Sequence, residues 1–439
     1  MGQPGSGKTR CVLMPLMESI LEATGNERNK KCSLIVIDPK NELAGFVREA
    51  LSRVGRSDDL IVVQPGESWY NPLSSPFLTE AEMPEKIITW ASNTNRSVQR
   101  RSTGDGEYWA NAQRALLSAI IGTTRAIHGK LTFTLLNQVF RQIEGFRKVG
   151  EASRWLEMQQ VPEAAIRGIT EYLALPLDTT RPCVSNSVSS VLYFWASEPL
   201  SGLTTENDDL PGIDPVDIIH EGKVVVVGCS GSAYGVSITP FLLALKEHFF
   251  GVLLSRDQVE VKDGETWIPI NQTRPVFVVA DEFQAYVSPD SSAGEFMALD
   301  RLRGFNAGML CATQSLSSLE SVLGASIHAT RLVSLLSNQL FLSNICPSTA
   351  IQAEHILGKK KVKNYQTDCS RQIPAPVLFR TTRGRAKRSH GHRIAFTHEV
   401  PRVDAGTLAA MKTGQFWARL ADGTVHTKKA PFISINSSK

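Results

Sequence analysis

The run GQPGSGKT at residues 2–9 constrains this chain more than any other stretch. It fits G-x-x-x-x-G-K-[ST], the pattern of a phosphate-binding loop. Gly2, Gly5 and Gly7, with Ser6 between them, let the backbone wrap its N–H groups around an anion at a helix N-terminus, where the helix dipole favours negative charge. Lys8 then brings a positive charge to the β- and γ-phosphates of ATP, and the Thr9 hydroxyl supplies a ligand for Mg2+. A helix near 8–24 comes next. Such a loop ordinarily succeeds a strand, and here Met1 directly precedes Gly2. The expectation is therefore an N-terminally truncated domain without its first strand.

Beyond the loop the chain reads as parallel α/β architecture. SLIVIDPKNEL (33–43) is an apolar, β-branched run that ends in polar residues. DDLIVVQP (58–65) is a second strand, and YNPL (70–73) halts regular structure at Pro72. From about 79 to 205 the period changes to that of helices, as in EYWANAQRALLSAIIGTTRAI (107–127) and PEAAIRGITEYLAL (162–175). Strand-like runs return at GKVVVVGCS (222–230), RPVFVVADEF (274–283) and GMLCATQS (308–315), and FWARLADGTVHTKKA reads as a hairpin turning at Asp422-Gly423. The expected division is a first part of the nucleotide-binding domain over 1–78, an inserted all-α domain over 79–205, and the second part over 206–439. A chain of 439 residues with 42% hydrophobic residues has enough apolar material for such a plan.

Composition excludes several classes. The apolar runs have strand length and fall far short of the ~20 residues that span a bilayer. No basic, apolar and small-residue succession opens the chain, so no secretory signal is read. Seven scattered cysteines without a CxxC pair argue against a zinc site or a disulfide framework and read as buried free thiols.

The second chemical element is VFVVADEF (276–283), an apolar strand ending in adjacent carboxylates. Downstream of a phosphate loop, Asp281 is placed to hold Mg2+ through water and Glu282 to orient and polarise the attacking water. Gln314, after a buried run some thirty residues on, falls on a neighbouring strand where a polar side chain can sense the γ-phosphate. In LDRLRGFNAG (299–308), Arg301 and Arg303 precede that strand. Such an arginine neutralises transition-state charge in a neighbouring subunit, or simply solvates a helix end.

Taken in order, the loop, DPKNEL (38–43), YNPL, the helix around Tyr108 and Trp109, ADEF (280–283), RGFNAG (303–308) and TQSLSSLE (313–320) resemble the TraG/TraD-like coupling ATPases of type IV secretion. The resemblance spans most of the chain. It implies a RecA-like P-loop nucleotide-binding domain with an inserted all-α domain, with ATP and Mg2+ as cofactors. Gly2, Gly5, Gly7, Lys8 and Thr9 match the nucleotide loop, Asp281 and Glu282 the Walker B pair, Gln314 the glutamine beyond it, and Arg303 the trans-acting arginine. Asp38, Lys40 and Glu42 match a family signature for which packing is as good an account as chemistry.

The resemblance also implies a homo-hexamer at the cytoplasmic face of the bacterial inner membrane. It would take single-stranded DNA without sequence preference, a relaxase and other secretion substrates, and deliver them to secretion channel components. The family's N-terminal transmembrane pair is not in this sequence. Net charge is only +4, but eleven Lys/Arg against one acid lie between Lys359 and Arg393, including the loop-like GRAKRSHGHR (384–393). This segment, with Arg96, Arg100 and Arg101, is a candidate for phosphate contact or else a solvated face. Two other classes remain open here: a docking receptor without ATP turnover, and a cytosolic DNA translocase of the segregation type.

Overall fold

The computed structural model describes residues 1–27, 30–92, 105–228, 235–263, 266–288, 294–367, 393–430 and 432–433. A parallel sheet carries the site. Its strands are β1 (Ser33–Ile37), β2 (Leu60–Val63) and β3 (Val224–Val227), followed, after a separate hairpin of β4 (Glu260–Asp263) and β5 (Thr266–Pro269), by β6 (Val276–Ala280) and β7 (Ala307–Cys311). The spatial order is β2-β3-β1-β6-β7, every neighbouring pair parallel. SLIVI and VVVV show no alternation because β1 and β3 are buried on both faces, and both strands are buried at every position. The register sets Val36 beside Val226 on one side and Val279 on the other.

Helix α1 (Met14–Thr24) leaves the loop through a wider, π-type turn over Lys8–Leu13, and α2 (Leu43–Arg53) follows β1. Beyond β2 the chain is helical. It forms α3 (Met83–Ser92), α4 (Asp105–His128), α5 (Phe133–Gly145), α6 (Val149–Met158), α7 (Glu163–Leu173), α8 (Thr180–Trp195), α9 (Leu200–Thr204) and α10 (Pro215–Glu221). Trp195, fully buried, stacks on Phe133 with centroids 4.1 Å apart and meets Trp90 edge-on at 6.2 Å, which joins α8 to α5 and α3. α4 and α7 approach so closely that a Cβ at Gly168 would lie 2.9 Å from Ala119 Cβ. Only glycine fits there.

The helix Thr239–Leu253 was not expected from the sequence. Thirteen of its fifteen residues are buried, so it is apolar around nearly its whole circumference and shows no one-sided stripe. Burial there extends to Lys246 and His248.

The last part forms β8 (Gln339–Leu342), a long antiparallel ribbon of β9 (Lys359–Thr367) and β10 (Arg393–Pro401), and the hairpin β11 (Gln415–Arg419) and β12 (Val425–Lys429). The hairpin turns where Asp422-Gly423 places it, with Thr424 N donating to Asp422 Oδ1 at 2.9 Å. It joins β8 in a separate sheet of order β12-β11-β8. The first residues bridge the two sheets: the Met1 ammonium donates to Leu340 O at 2.6 Å, Gly2 N to Thr313 O at 3.1 Å and Gln3 N to Ser343 O at 2.9 Å. An apolar groove lined by Val12, Leu16, Leu310, Leu340 and Phe416 lies beside them, which is why β7 is only half-buried along its length.

Two expectations fall on other ground. Arg96, Arg100 and Arg101, and nearly all of GRAKRSHGHR, lie outside the described residues; Arg393 opens β10. The thiols are not uniformly buried: Cys11 and Cys32 are, but Cys183 is exposed on α8 and Cys346 is half-buried. Cys346 precedes the helix Pro347–Leu357. Burial pushes its thiol up, but hydrogen bonds with Ser317, Ser348 and Thr349 outweigh that and lower its pKa to about 6.

No helix among the described residues is long and apolar enough to cross a membrane.

Candidate nucleotide site

Parallel strands that start together also end together, so the residues just past β1, β3 and β6 form one rim. Asp38 N donates to Val227 O at 3.0 Å and Asp281 N to Ile37 O at 3.1 Å. Asp38 is fully buried and turns back on the chain. Its Oδ1 accepts from Lys40 N at 3.0 Å, and its Oδ2 from Glu42 N at 2.6 Å and Leu43 N at 2.7 Å. Two of these N–H groups lead into α2, so the carboxylate acts as its cap. Burial pushes its pKa up against the pull of those backbone donors. Asn41 completes the turn in the left-handed region, φ 56°. The DPKNEL signature is thus in part a local structural device, and it presents the Lys40 side chain to the rim.

In the phosphate loop Gly5 and Gly7 take φ of 77° and 96°. A Cβ at Gly7 would stand 2.8 Å from Cys11 Sγ and 3.2 Å from Gly414 N, so both space and backbone demand glycine. Lys8 Nζ donates to two carbonyls of its own loop, Gly2 O at 2.6 Å and Gln3 O at 3.2 Å. Burial lowers its pKa, and the nearby Glu282 and Asp281 carboxylates offset part of that. Thr9 Oγ1 donates to Asp281 Oδ2 at 2.8 Å, a contact across 272 residues of sequence.

Glu282 comes next in the left-handed region with φ 45° and ψ 43°, costly for a residue with a Cβ and held by what surrounds it. Its N–H donates to Asp281 Oδ1 at 2.9 Å. Its carboxylate is filled from three sides: Lys40 Nζ is ion-paired with Oε1, while Oε2 accepts from Gln314 Nε2 at 2.9 Å and Gln284 Nε2 at 2.5 Å. Burial raises the pKa of this group. The three donors more than reverse that and hold it below the usual carboxylate range.

Gln314 reaches the site from the turn beyond β7. Its carbonyl accepts from Asn344 Nδ2 at 2.7 Å, and the next residue, Ser315, caps the helix Leu316–Leu323 by accepting from Ser318 N at 3.1 Å. The serines of TQSLSSLE therefore begin a helix that fixes the glutamine's turn.

The structure gathers the loop residues Gly2 to Thr9 with Asp281, Glu282 and Gln314. It does not bring Arg303 or Arg301 to them. Both arginines are exposed and precede β7, at the rim where Val276 N donates to Asn306 O, the opposite end of the strands from Lys8. Two participants were not read as such from sequence. Gln284 carries no signal beyond lying two residues after Glu282, and Lys40 was seen only as part of a signature.

The donor set fits a nucleotide with Mg2+. Ser6 Oγ, in the loop, is buried without a hydrogen-bond partner among the described residues. Thr9 and Asp281 offer two oxygens side by side, the pairing that shares a hydrated Mg2+.

A parallel sheet presenting a phosphate loop and an adjacent Asp-Glu pair at the ends of its strands defines the P-loop α/β class of nucleotide-binding folds. Within that class the chain is similar over its whole length to the bacterial conjugative coupling protein TrwBdeltaN70 in its unbound form. The TM-score is 0.62 and the identity 15%, covering 100% of this chain and 85% of that one. It is similar also to plasmid coupling protein TrwB in complex with ADP and Mg2+, with TM-score 0.59, 15% identity and coverage of 100% and 86%. Against VirB4 of Thermoanaerobacter pseudethanolicus the TM-score is 0.52 at 14% identity, covering 98% and 88%. The fold is that of the conjugative coupling proteins, as the motif series implied. No family model matches the chain, and no curated protein sequence matches it.

Proposed function

We propose that this chain is an ATP-hydrolysing coupling protein that recruits relaxase-bound DNA or protein substrates and drives them to a type IV secretion channel. The observation that carries the reading is the contact between Thr9 and Asp281, which joins the phosphate loop to the Asp-Glu pair and sets Glu282 and Gln314 beside them. Loop N–H groups and Lys8 would hold the phosphates, and Lys8 would exchange the carbonyls of Gly2 and Gln3 for phosphate oxygens. Thr9 and Asp281 would hold Mg2+, which supplies charge neutralisation to the phosphates when bound. Glu282 would take a proton from the attacking water, and the Gln314 amide would align the transferred group.

The wider assembly belongs to the same proposal. The nucleotide-binding domain comprises 1–78 and 206–439, and 79–205 is its inserted all-α domain. Arg303, exposed and remote from its own site, would serve the site of a neighbouring subunit in a homo-hexamer. Lys359, Lys360, Lys361 and Lys363, exposed on β9, would meet phosphates of single-stranded DNA. The intact protein would act at the cytoplasmic face of the inner membrane.

Nucleotide binding tests the site directly. Calorimetric titration with ATP and Mg2+ is expected to show binding that Lys8→Ala weakens tenfold or more, about 1.4 kcal/mol at the least. Equal affinity in the two proteins would mean that the loop does not hold the phosphates.

A further inference from the structure

Both carboxylate oxygens of Glu282 accept hydrogen bonds. A proton adds most readily to the oxygen whose donors hold its electron pairs least strongly, and the donors are unequal. On Oε1 stands the ammonium of Lys40, an ion pair. On Oε2 stand two neutral amides, those of Gln314 at 2.9 Å and Gln284 at 2.5 Å. All three bonds end on an ionised acceptor, but only the Lys40 ammonium adds a full positive charge, so it draws on Oε1 more strongly than either amide does on Oε2. Lys8, the other ammonium nearby, is directed to its own loop's carbonyls.

We infer that Lys40 is the positioning residue for Glu282: it anchors Oε1 and leaves Oε2, held by amides alone, as the oxygen that takes the proton of the attacking water. The inference rests on the ATPase reading above. Its geometry comes from a different strand than the one bearing the base. Lys40 stands on the turn after β1, and that turn is fixed by Asp38 through the N–H groups of Lys40, Glu42 and Leu43. The anchor is thus set by a buried carboxylate two residues away and crosses to β6. When Gln314 turns to the γ-phosphate, Oε2 opens while Oε1 stays held. The water then passes its proton to Oε2 as its oxygen bonds to the γ-phosphorus, and the bridging P–O bond breaks with its electron pair leaving on ADP. The product carboxyl returns the proton to solvent when phosphate departs.

A lysine that merely staples two turns together would give a different kinetic pattern from one that acts through Glu282. The test is steady-state ATP hydrolysis by the full chain and its Lys40→Ala, Lys40→Arg, Glu282→Gln and Lys40→Ala/Glu282→Gln variants. Lys40→Ala is expected to lower kcat about 10- to 100-fold with KM for ATP within about twofold, and Lys40→Arg to recover most of the loss. The double variant is expected to be no slower than Glu282→Gln alone, because the anchor has no purpose without the base. Losses that multiply in the double variant, a change confined to KM, or an unchanged Lys40→Ala overturns the inference while wild-type turnover leaves the ATPase reading standing. A wild-type chain that binds ATP but turns over no faster than Glu282→Gln defeats both.

Discussion

Replacing Glu282 by Gln is expected to cut kcat for ATP hydrolysis by about 100- to 10,000-fold, the range a positioned general base contributes. The substitution keeps the size of the side chain, and its amide oxygen still accepts from Lys40, so KM for ATP should stay near the wild-type value. What it removes is an oxygen able to take a proton. Glu282 sits in the left-handed region with its carboxylate bonded to Lys40, Gln284 and Gln314. In the variant the amide oxygen keeps Lys40 and the NH2 group meets the oxygens of the Gln284 and Gln314 amides once these turn over, so shape is kept while basicity is lost. Steady-state kinetics over a range of ATP concentrations reads both quantities. Turnover equal to wild type would assign the base elsewhere.

The second large effect is on stability. Lys246, 1% exposed, pairs with Glu295, 0% exposed, and also donates to Tyr286 O at 2.5 Å. Glu295 Oε2 accepts from Ser288 N at 3.0 Å, and the Tyr286 hydroxyl donates to Asp281 O at 2.9 Å. The pair thus ties the helix Thr239–Leu253 to the segment that leaves the Asp-Glu pair. Lys246→Met strips the counter-charge from a carboxylate that has no access to water, and is expected to cost about 3–5 kcal/mol. The urea unfolding midpoint should fall accordingly. Changing both residues to Met should recover most of the loss, because an apolar pair of similar volume leaves no charge uncompensated. A Lys246→Met chain as stable as wild type would show that the pair carries no such weight.

Much of this fold was legible because local chemistry and global position agree. SLIVI and VVVV are strands in any context that buries both faces, and Gly5 and Gly7 of the loop are demanded by backbone angles that the sequence pattern already encodes. The Asp422-Gly423 turn is equally local. The helix Thr239–Leu253 was not legible, since a helix buried all round shows no stripe and its Lys246 and His248 interrupt the apolar run. The division of the last strands into a second sheet was hidden too, because β8 finds its partner β11 some seventy residues later.

The site divides along the same line. Residues with a motif behind them, Lys8, Thr9, Asp281 and Glu282, could be named one by one. Lys40 and Gln284 enter through three-dimensional proximity to one carboxylate, 242 residues away in one case and two in the other. DPKNEL marked Lys40 as part of a signature but not its partner, and nothing in the sequence marked Gln284.

The proposed role as a nucleotide-driven motor for DNA is read from the rate of ATP hydrolysis with and without single-stranded DNA, beside Lys8→Ala. Turnover that DNA raises and that the substitution abolishes is expected. ATP binding with no turnover in either condition would contradict it and leave a docking module in its place.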